Sequence, residues 1–103
     1  MSSLAEIYFN YNKAIQQAEK LESIARKLSN AADKNMENIL GDVNRAWKSD
    51  SSPQYIKKGL KVQQDLHITE GNLKNIAAAI RKIAKRVLEA ELEAWRIANE
   101  RKS

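Results

Sequence analysis

The amino-acid sequence predicts an all-α protein, an antiparallel helical hairpin of two long helices that assembles as a four-helix-bundle dimer. Two observations lead to this fold class. Apolar residues recur every three or four positions through both halves of the chain, and a polar run that ends in the only proline, Pro53, separates the halves. We expect one domain over residues 1–103, with a helix over about 4–47, a turn over about 48–52 and a helix over about 53–101.

The first helix is predicted from apolar or small residues whose spacing alternates between three and four. One pair of successive four-residue steps joins Leu28, Ala32 and Met36, and such a stutter predicts that a coiled coil unwinds locally. No proline interrupts this half of the chain. The predicted seam consists of Ile7, Tyr11, Ala14, Ala18, Leu21, Ala25, Leu28, Ala32, Met36, Ile39, Val43 and Ala46.

The second helix has a clear start signal. Ser52 as N-cap places Pro53 at the first helical position, where its fixed φ is favourable, while Ser51 with Gln54 offers a competing capping box one residue earlier. The seam that follows repeats the spacing of the first half. Its predicted members are Leu73, Ile76, Ile80, Ile83, Val87, Ala90, Ala94 and Ile97.

Weak points in both helices leave an alternative open. Ser29 and Asn30 lie beside the stutter, and Gly59 and Gly71 each cost about 1 kcal/mol relative to alanine in a helix interior. Breaks there would give four short helices folded as a monomeric bundle. The long hairpin is favoured because the apolar period continues through these positions.

The apolar stripes are wider than one helix–helix seam requires. Residues beside the seam would stay exposed in a hairpin on its own, and an exposed apolar band usually marks an interaction surface. We therefore expect a homodimer, or a heterodimer with a related helical protein. The predicted interface residues are Ile15, Ile24, Leu40, Leu66, Ile83 and Leu88.

The centre of the chain carries a short motif. Trp47, Lys48 and Ser49 stand between the two predicted helices, in the run Ala46–Asp50, and the chain has no cysteine and 103 residues in all. In these features it resembles the WXG superfamily, the ESAT-six-like substrates and partners of type VII secretion systems, although Ser49 stands where the family has glycine. The resemblance implies a helical hairpin whose turn is Trp47–Ser49, a WXG-like or LXG-like helical partner, and contact with the type VII secretion machinery.

The resemblance also implies an export signal near the C-terminus, an aromatic residue followed four positions later by an acidic one. Val87 and Glu91 have the spacing without the aromatic ring, whereas Trp95 has the ring and Glu100 follows one position late. The chain is thus expected to be cytoplasmic before export and then secreted or cell-surface by a leaderless route. It could be the secreted substrate itself or the partner and targeting chaperone of a larger exported effector.

Aromatic residues fall at both ends of the predicted hairpin. Trp47 beside Tyr55 either closes the turn end of the bundle or docks a secretion component. A second group is predicted at the open end, as a closure of that end or as a partner-binding patch. Its members are Tyr8, Phe9, Tyr11 and Trp95.

The net charge of +5 comes from the second half of the chain, because residues 1–46 contain six basic and six acidic residues. A basic patch of Arg81, Lys82, Lys85 and Arg86 suggests an alternative function. This is a cytosolic coiled-coil adaptor that binds nucleic acid or an acidic protein. Nucleic-acid binding is the weaker of the two, because no base-reading motif accompanies the patch.

The sequence lacks the residues on which enzyme active sites and metal sites usually depend. His67 is the only imidazole, with Asp65 and Glu70 nearby in sequence, and neither a thiol nor a glycine-rich phosphate loop is present. We therefore expect no enzyme activity, no cofactor and no metal site. No stretch of about 18 apolar residues predicts a membrane span, and the N-terminus lacks the pattern of a cleaved signal peptide.

Overall fold

The computed structural model describes residues 3–46 and 52–102, and the all-α class is confirmed over these residues. Trp47, Lys48 and Ser49, the predicted turn motif, lie outside the described residues. In chain order the elements are helix α1 over Leu4–Asn30, a π-helical turn over Ala31–Asn35, helix α2 over Met36–Ala46 and helix α3 over Ser52–Lys102.

Helix α1 begins at a serine cap. The hydroxyl oxygen of Ser3 accepts a hydrogen bond from the backbone N–H of Glu6 at 3.2 Å, and its carbonyl oxygen accepts one from the N–H of Ile7 at 3.1 Å. The first contact satisfies a donor that the first turn of a helix otherwise leaves unpaired, and the second is the first hydrogen bond of the helix itself. The first helix therefore starts where the sequence predicts.

The π-helical turn coincides with the predicted stutter. Two successive four-residue steps are longer than two α-helical turns, and a π turn absorbs the excess by adding a residue to the turn. Asn30 and Met36 on either side keep helical backbone angles, with φ of −63° and −67°. The possible break at Ser29–Asn30 does not occur, because helical backbone continues through it into α2.

Helix α3 runs for 51 residues without interruption. It begins at Ser52, so Pro53 is the second helical residue and not the first, one position from the register that a Ser52 cap predicts. Gly59 and Gly71 are both helical, and no described glycine has a positive φ. The alternative of four short helices is therefore wrong.

The chain divides into two compact units. The terminal unit combines Met1–Leu21 with Asn75–Ser103, and the central unit is Glu22–Lys74. Within the central unit, Gln63 contacts Ala32, and His67 contacts Asp33. Gly59 lies beside Leu40, nearer Ala46 and Ser52, so the helical segments of this unit run antiparallel, as a hairpin requires.

The buried seam of each unit is built mainly from alanine. In the terminal unit Ile7, Ala18, Ala77 and Ala84 are buried, and in the central unit Ala25 and Ala32 are buried. No large side chain is fully buried among the described residues. Small side chains allow the helix axes to approach closely. The seam therefore buries little of the apolar surface that the sequence provides.

The predicted seam of α3 is wrong for six of its eight members, which are exposed, while Leu73 and Ile80 are half-buried. Of its members, Ile76, Ile83 and Val87 are about half exposed, at 50%, 59% and 47%, and Ile97 is 39% exposed. The residues that face inward are Ala77, Ala84, Leu88 and Trp95, one position further along the chain. Helix α3 carries two parallel apolar stripes, and spacing alone does not tell which one faces the first helix.

Candidate partner interface

The outward stripe of α3 is the most distinctive surface of the terminal unit. Successive members are separated by four and three residues in strict alternation, the spacing of a coiled-coil seam. The stripe extends over 21 residue steps, about 32 Å at 1.5 Å per residue. We call it the outer stripe: Ile76, Ile80, Ile83, Val87, Ala90, Ala94 and Ile97.

An apolar groove adjoins the outer stripe. Ile80, Ile83 and Val87 form one side of it, and side chains of α1 form the other. Its volume is about 260 Å³, and the polar residues that line it are Asn10 and Glu91. The α1 side consists of Ile7, Tyr11 and Ala14, while Ala84 and Leu88 complete the lining. The groove has the shape and chemistry that accept apolar side chains from another helix.

Charged side chains follow one edge of the outer stripe. Lys82, Arg86, Glu89 and Glu93 each directly precede a stripe residue and are all exposed. Their steps of four, three and four place them on one face of the helix. We call these four residues the charged edge. Arg96, which precedes Ile97 in the same way, follows them, so the row is basic, then acidic, then basic again.

The acidic end of the charged edge is joined to the next turn of α3. Glu93 accepts a hydrogen bond from Arg96 Nε at 3.2 Å and a second from Nη2, and Arg96 Nη1 donates to Glu100. Hydrogen bonding to Arg96 lowers the pKa of the Glu93 carboxyl and, with Glu100, raises the pKa of Arg96. Both groups are therefore charged near neutral pH.

The structure places the predicted interface residues in both units. Ile24 and Ile83 are exposed, and the other four are half-buried. In the terminal unit, Ile83 and Leu88 line the groove. The half-buried members are Ile15, Leu40, Leu66 and Leu88.

The basic patch lies on one broad face of α3. Lys82, Lys85 and Arg86 are exposed, and Arg81 is half-buried. At 3.6 residues per turn the four positions span an arc of about 140°. Lys82 and Arg86 belong to the charged edge, and Arg81 and Lys85 lie beside it.

The predicted export-signal residues all lie on α3. Val87 is in the outer stripe, Glu91 is half-buried in the groove, and Trp95 is half-buried. The backbone carbonyl of Trp95 accepts a hydrogen bond from Asn99 Nδ2 at 2.9 Å, and Glu100 accepts one from Arg96.

Among the aromatic residues singled out, Tyr8, Phe9 and Tyr55 are exposed. Tyr11 is half-buried and lines the groove, while Trp95 is also half-buried. Exposure of Phe9 reaches 65%, the largest of the exposed large hydrophobic residues. The aromatic residues of the terminal unit thus keep apolar surface in contact with water.

A polar cluster in the central unit was not foreseen from the sequence. Gln63 Nε2 donates to the carbonyl oxygen of Ala32, inside the π-helical turn, at 2.9 Å. His67 Nε2 lies 2.7 Å from Asp33 Oδ1, and its Nδ1 lies 3.4 Å from Glu70 Oε1. We call these residues the polar clamp, because side chains of α3 hold the π-helical turn through them.

The electrostatics of the polar clamp follow from these contacts. Acceptance of a hydrogen bond by Asp33, reinforced by Glu70, raises the pKa of His67 above 6.5. The ammonium of Lys74, 3.0 Å from Glu70 Oε2, lowers the pKa of Glu70, and His67 adds to that effect. Glu70 is 9% exposed, and the hydrogen bond from Lys74 favours its charged form in this largely buried position.

The sequence pattern singles out His67 and Glu70 but not Asp33, which lies 34 residues from His67.

Within residues 3–46 and 52–102, no helix combines the length and apolar character needed to cross a lipid bilayer. Comparisons with protein-family models, curated proteins and solved structures find no match to this chain.

Proposed function

We propose that this chain is a small WXG-like protein of a type VII secretion system, which acts as a secreted substrate or as the helical partner and targeting chaperone of a larger exported effector. The outer stripe and its groove are the observation that carries the proposal. Both leave apolar side chains of the terminal unit in water while an alanine seam holds the helices together.

The size of the exposed surface supports a partner-binding role. Burying an isoleucine or valine side chain completely contributes about 1.5–3 kcal/mol. Ile76, Ile83, Val87 and Ile97 are between 39% and 59% exposed, so each retains about half of that contribution for a partner to recover. A helical partner recovers it most fully, because the spacing of the stripe matches that of a coiled coil.

The layout of the chain supports the secretion assignment. The antiparallel segments of the central unit and the five residues between Ala46 and Ser52 agree with the hairpin that the WXG resemblance implies. The residues that resemble the export signal, Val87, Glu91, Trp95 and Glu100, lie close to the C-terminal end of α3.

Export from a host that carries a type VII system tests the proposal. The chain is produced in matched strains with and without the secretion system, and the culture medium is probed for the chain and its partner. We expect export in the first strain only, and loss of export when residues 88–103 are deleted. Since that deletion removes part of the terminal unit, Trp95→Ala with Glu100→Ala serves as a milder variant that retains the helix.

Two results of the export experiment would contradict the proposal. Normal export of both the chain and its partner after the deletion would refute the proposal, as would equal amounts in the medium of the two strains. Circular dichroism of each variant shows whether lost export reflects lost helix.

Trp47→Ala separates packing from docking at the predicted turn. A docking role predicts lost export with unchanged thermal unfolding, whereas a packing role predicts reduced stability. Tyr55→Ala is the matched control, because Tyr55 is an exposed aromatic residue near the start of α3. If export survives Trp47→Ala at full level, Trp47 does not dock the secretion machinery.

A further inference from the structure

We propose that the π-helical turn is a register switch for α2, and that protonation of His67 in the polar clamp sets the register. The two registers differ by one residue, so that either Leu40 or Ile39 packs against Gly59 of α3. All of these residues belong to the central unit. The switch is independent of the proposed secretion role.

The π-helical turn contains one residue more than an α-helical turn. The backbone N–H of Met36 donates to the carbonyl oxygen of Ala31, five residues earlier. In an α-helix the same N–H would donate to Ala32, four residues earlier. One residue corresponds to about 100° of rotation in an α-helix. Conversion of the π-helical turn to α-helix would therefore rotate α2 by about this angle relative to α1.

Helix α2 carries apolar residues for both registers. In the structure Ile39 is 54% exposed, whereas its neighbour Leu40 is half-buried and lies against Gly59. A continuous α-helix from the buried Ala32 would instead turn Ile39 and Val43 inward, because they are seven and eleven residues further along. The α register is thus the one that the apolar spacing predicts, and the π register exchanges Ile39 for Leu40.

The contact at Gly59 permits this exchange. Because Gly59 has no side chain, Leu40 occupies space that a Cβ at this position would fill. Leucine and isoleucine side chains contain the same atoms, so burying either one removes a similar apolar area from water. The apolar contact therefore does not select one register strongly, and polar contacts can decide between them.

Gln63 favours the π register directly. Its Nε2 donates to the carbonyl oxygen of Ala32 at 2.9 Å. In the α register the N–H of Met36 would use this same oxygen. The side chain of Gln63 and the N–H of Met36 thus compete for one acceptor, and the hydrogen bond from Gln63 leaves Met36 bound to Ala31.

His67 makes the switch sensitive to pH. The charged groups that act on it are Asp33 of the π-helical turn and Glu70 of its own helix, and Glu70 is paired in turn with Lys74 at 3.0 Å. A protonated imidazole donates from both ring nitrogens, to Asp33 at 2.7 Å and to Glu70 at 3.4 Å. A neutral imidazole donates from one nitrogen only, so the lone pair of the other faces a carboxylate. Deprotonation therefore weakens the attachment of the π-helical turn to α3.

Nuclear magnetic resonance of the full chain reports the register without any substitution. Nuclear Overhauser contacts from the Hα atoms of Gly59 are measured to the labelled methyl groups of Leu40 and Ile39. At about pH 5.5 we expect the Leu40 contact to dominate, because His67 is protonated there. At about pH 8.5 the intensity ratio of the Leu40 contact to the Ile39 contact should fall about twofold or more, because most of the imidazole is neutral.

Substitutions in the polar clamp separate its two parts. Gln63→Ala frees the carbonyl oxygen of Ala32 for Met36, so the intensity ratio should fall at both pH values. Gln64→Ala is the matched control, because Gln64 is the next residue and is exposed, and it should behave like the parent chain. His67→Gln does not titrate in this range, so its ratio should be the same at both pH values.

Deletion of Lys34 locks the switch. Lys34 is an exposed residue of the π-helical turn, and its removal leaves an α-helical path that keeps Leu40 in its present direction. The Leu40 contact with Gly59 should therefore persist at both pH values, also when the deletion is combined with Gln63→Ala.

Three results would overturn the switch. The parent chain could show the same intensity ratio at both pH values, Gln63→Ala could behave like Gln64→Ala, or deletion of Lys34 could move Leu40 away from Gly59. Circular dichroism shows whether each variant keeps its helix. The pH series on the parent chain decides the matter even where a variant does not fold.

Discussion

The terminal and central units use α1 and α3 in different ways. In the terminal unit Ala77 and Ala84 of α3 are buried, whereas Ile76, Ile83 and Ile97 of the outer stripe are exposed. In the central unit Gln63 and His67 reach from α3 to the π-helical turn and bind it with polar atoms. One region thus leaves apolar surface for a partner, and the other fixes the register of its own helices.

The difference matters because the two kinds of contact respond to different conditions. Apolar surface left in water contributes to stability only when a partner covers it, so its contribution depends on protein concentration. Polar contacts within one chain are independent of concentration, but titratable ones depend on pH. Each unit can therefore be perturbed separately.

The alanine seam should give the largest effect. Ala77→Leu places a larger side chain at a position with no exposure in the terminal unit, and such overpacking costs about 1–3 kcal/mol. Ala78→Leu is the matched control, because Ala78 is exposed on the same turn. Chemical denaturation measures both, and equal stability of the two variants would show that the seam has room for larger residues.

Glycine replacements in the central unit should change the free energy of unfolding by about 1 kcal/mol. A methyl group added at Gly71 has no neighbour within 4 Å, so Gly71→Ala should stabilise the chain by about 1 kcal/mol through helix propensity. At Gly59 the methyl would overlap Cδ2 of Leu40, so the side chain of Leu40 must move and Gly59→Ala should gain less stability. A larger gain at Gly59 than at Gly71 would contradict the close approach of α2 and α3.

Local features of the helices were predictable from sequence. The start of α3 near Ser52 follows from Pro53, and the π-helical turn over Ala31–Asn35 falls at the stutter predicted around Ala32. Both depend on neighbouring residues, for which spacing and backbone chemistry are sufficient. The continuity of α3 through Gly71 also follows from the unbroken apolar period.

Contacts between helices were less predictable. Two stripes of α3 have coiled-coil spacing, and spacing favours the one richer in isoleucine as the seam. Ala77 and Ala84 face inward instead, because close approach of the helices favours small residues. The contact of His67 with Asp33 joins residues 34 apart and depends on the pairing of the two helices. Sequence periodicity restricts that pairing without fixing it.

The polar clamp should give a smaller, pH-dependent effect. Because the folded-state pKa of His67 is raised, its contribution to stability is complete below its ordinary value of 6.5 and is lost as pH rises through the folded pKa. The lowered pKa of Glu70 acts oppositely, with a contribution that is present above 4.5 and lost as pH falls through its folded pKa. The clamp is therefore strongest between these two ordinary values.

Nuclear magnetic resonance measures the titration directly, because His67 is the only histidine. We expect a midpoint above 6.5 that falls towards the ordinary value in Asp33→Asn. His67→Gln should remove the loss of stability on the alkaline side. The effect is small, because the His67 side chain is 41% exposed and water screens its ion pairs. A midpoint at or below 6.5 in the parent chain would contradict the clamp.

The outer stripe should give the smallest effect on the isolated chain. Ile83→Gln replaces a side chain that is 59% exposed, so unfolding at low protein concentration should change by no more than about 0.5 kcal/mol. At high concentration the parent chain should gain thermal stability through association, and Ile83→Gln should lose most of that gain. Ile68→Gln, at a similarly exposed isoleucine of the central unit, should retain it. If Ile83→Gln destabilises the chain equally at all concentrations, the stripe supports the fold of the single chain and the contrast between the two units fails.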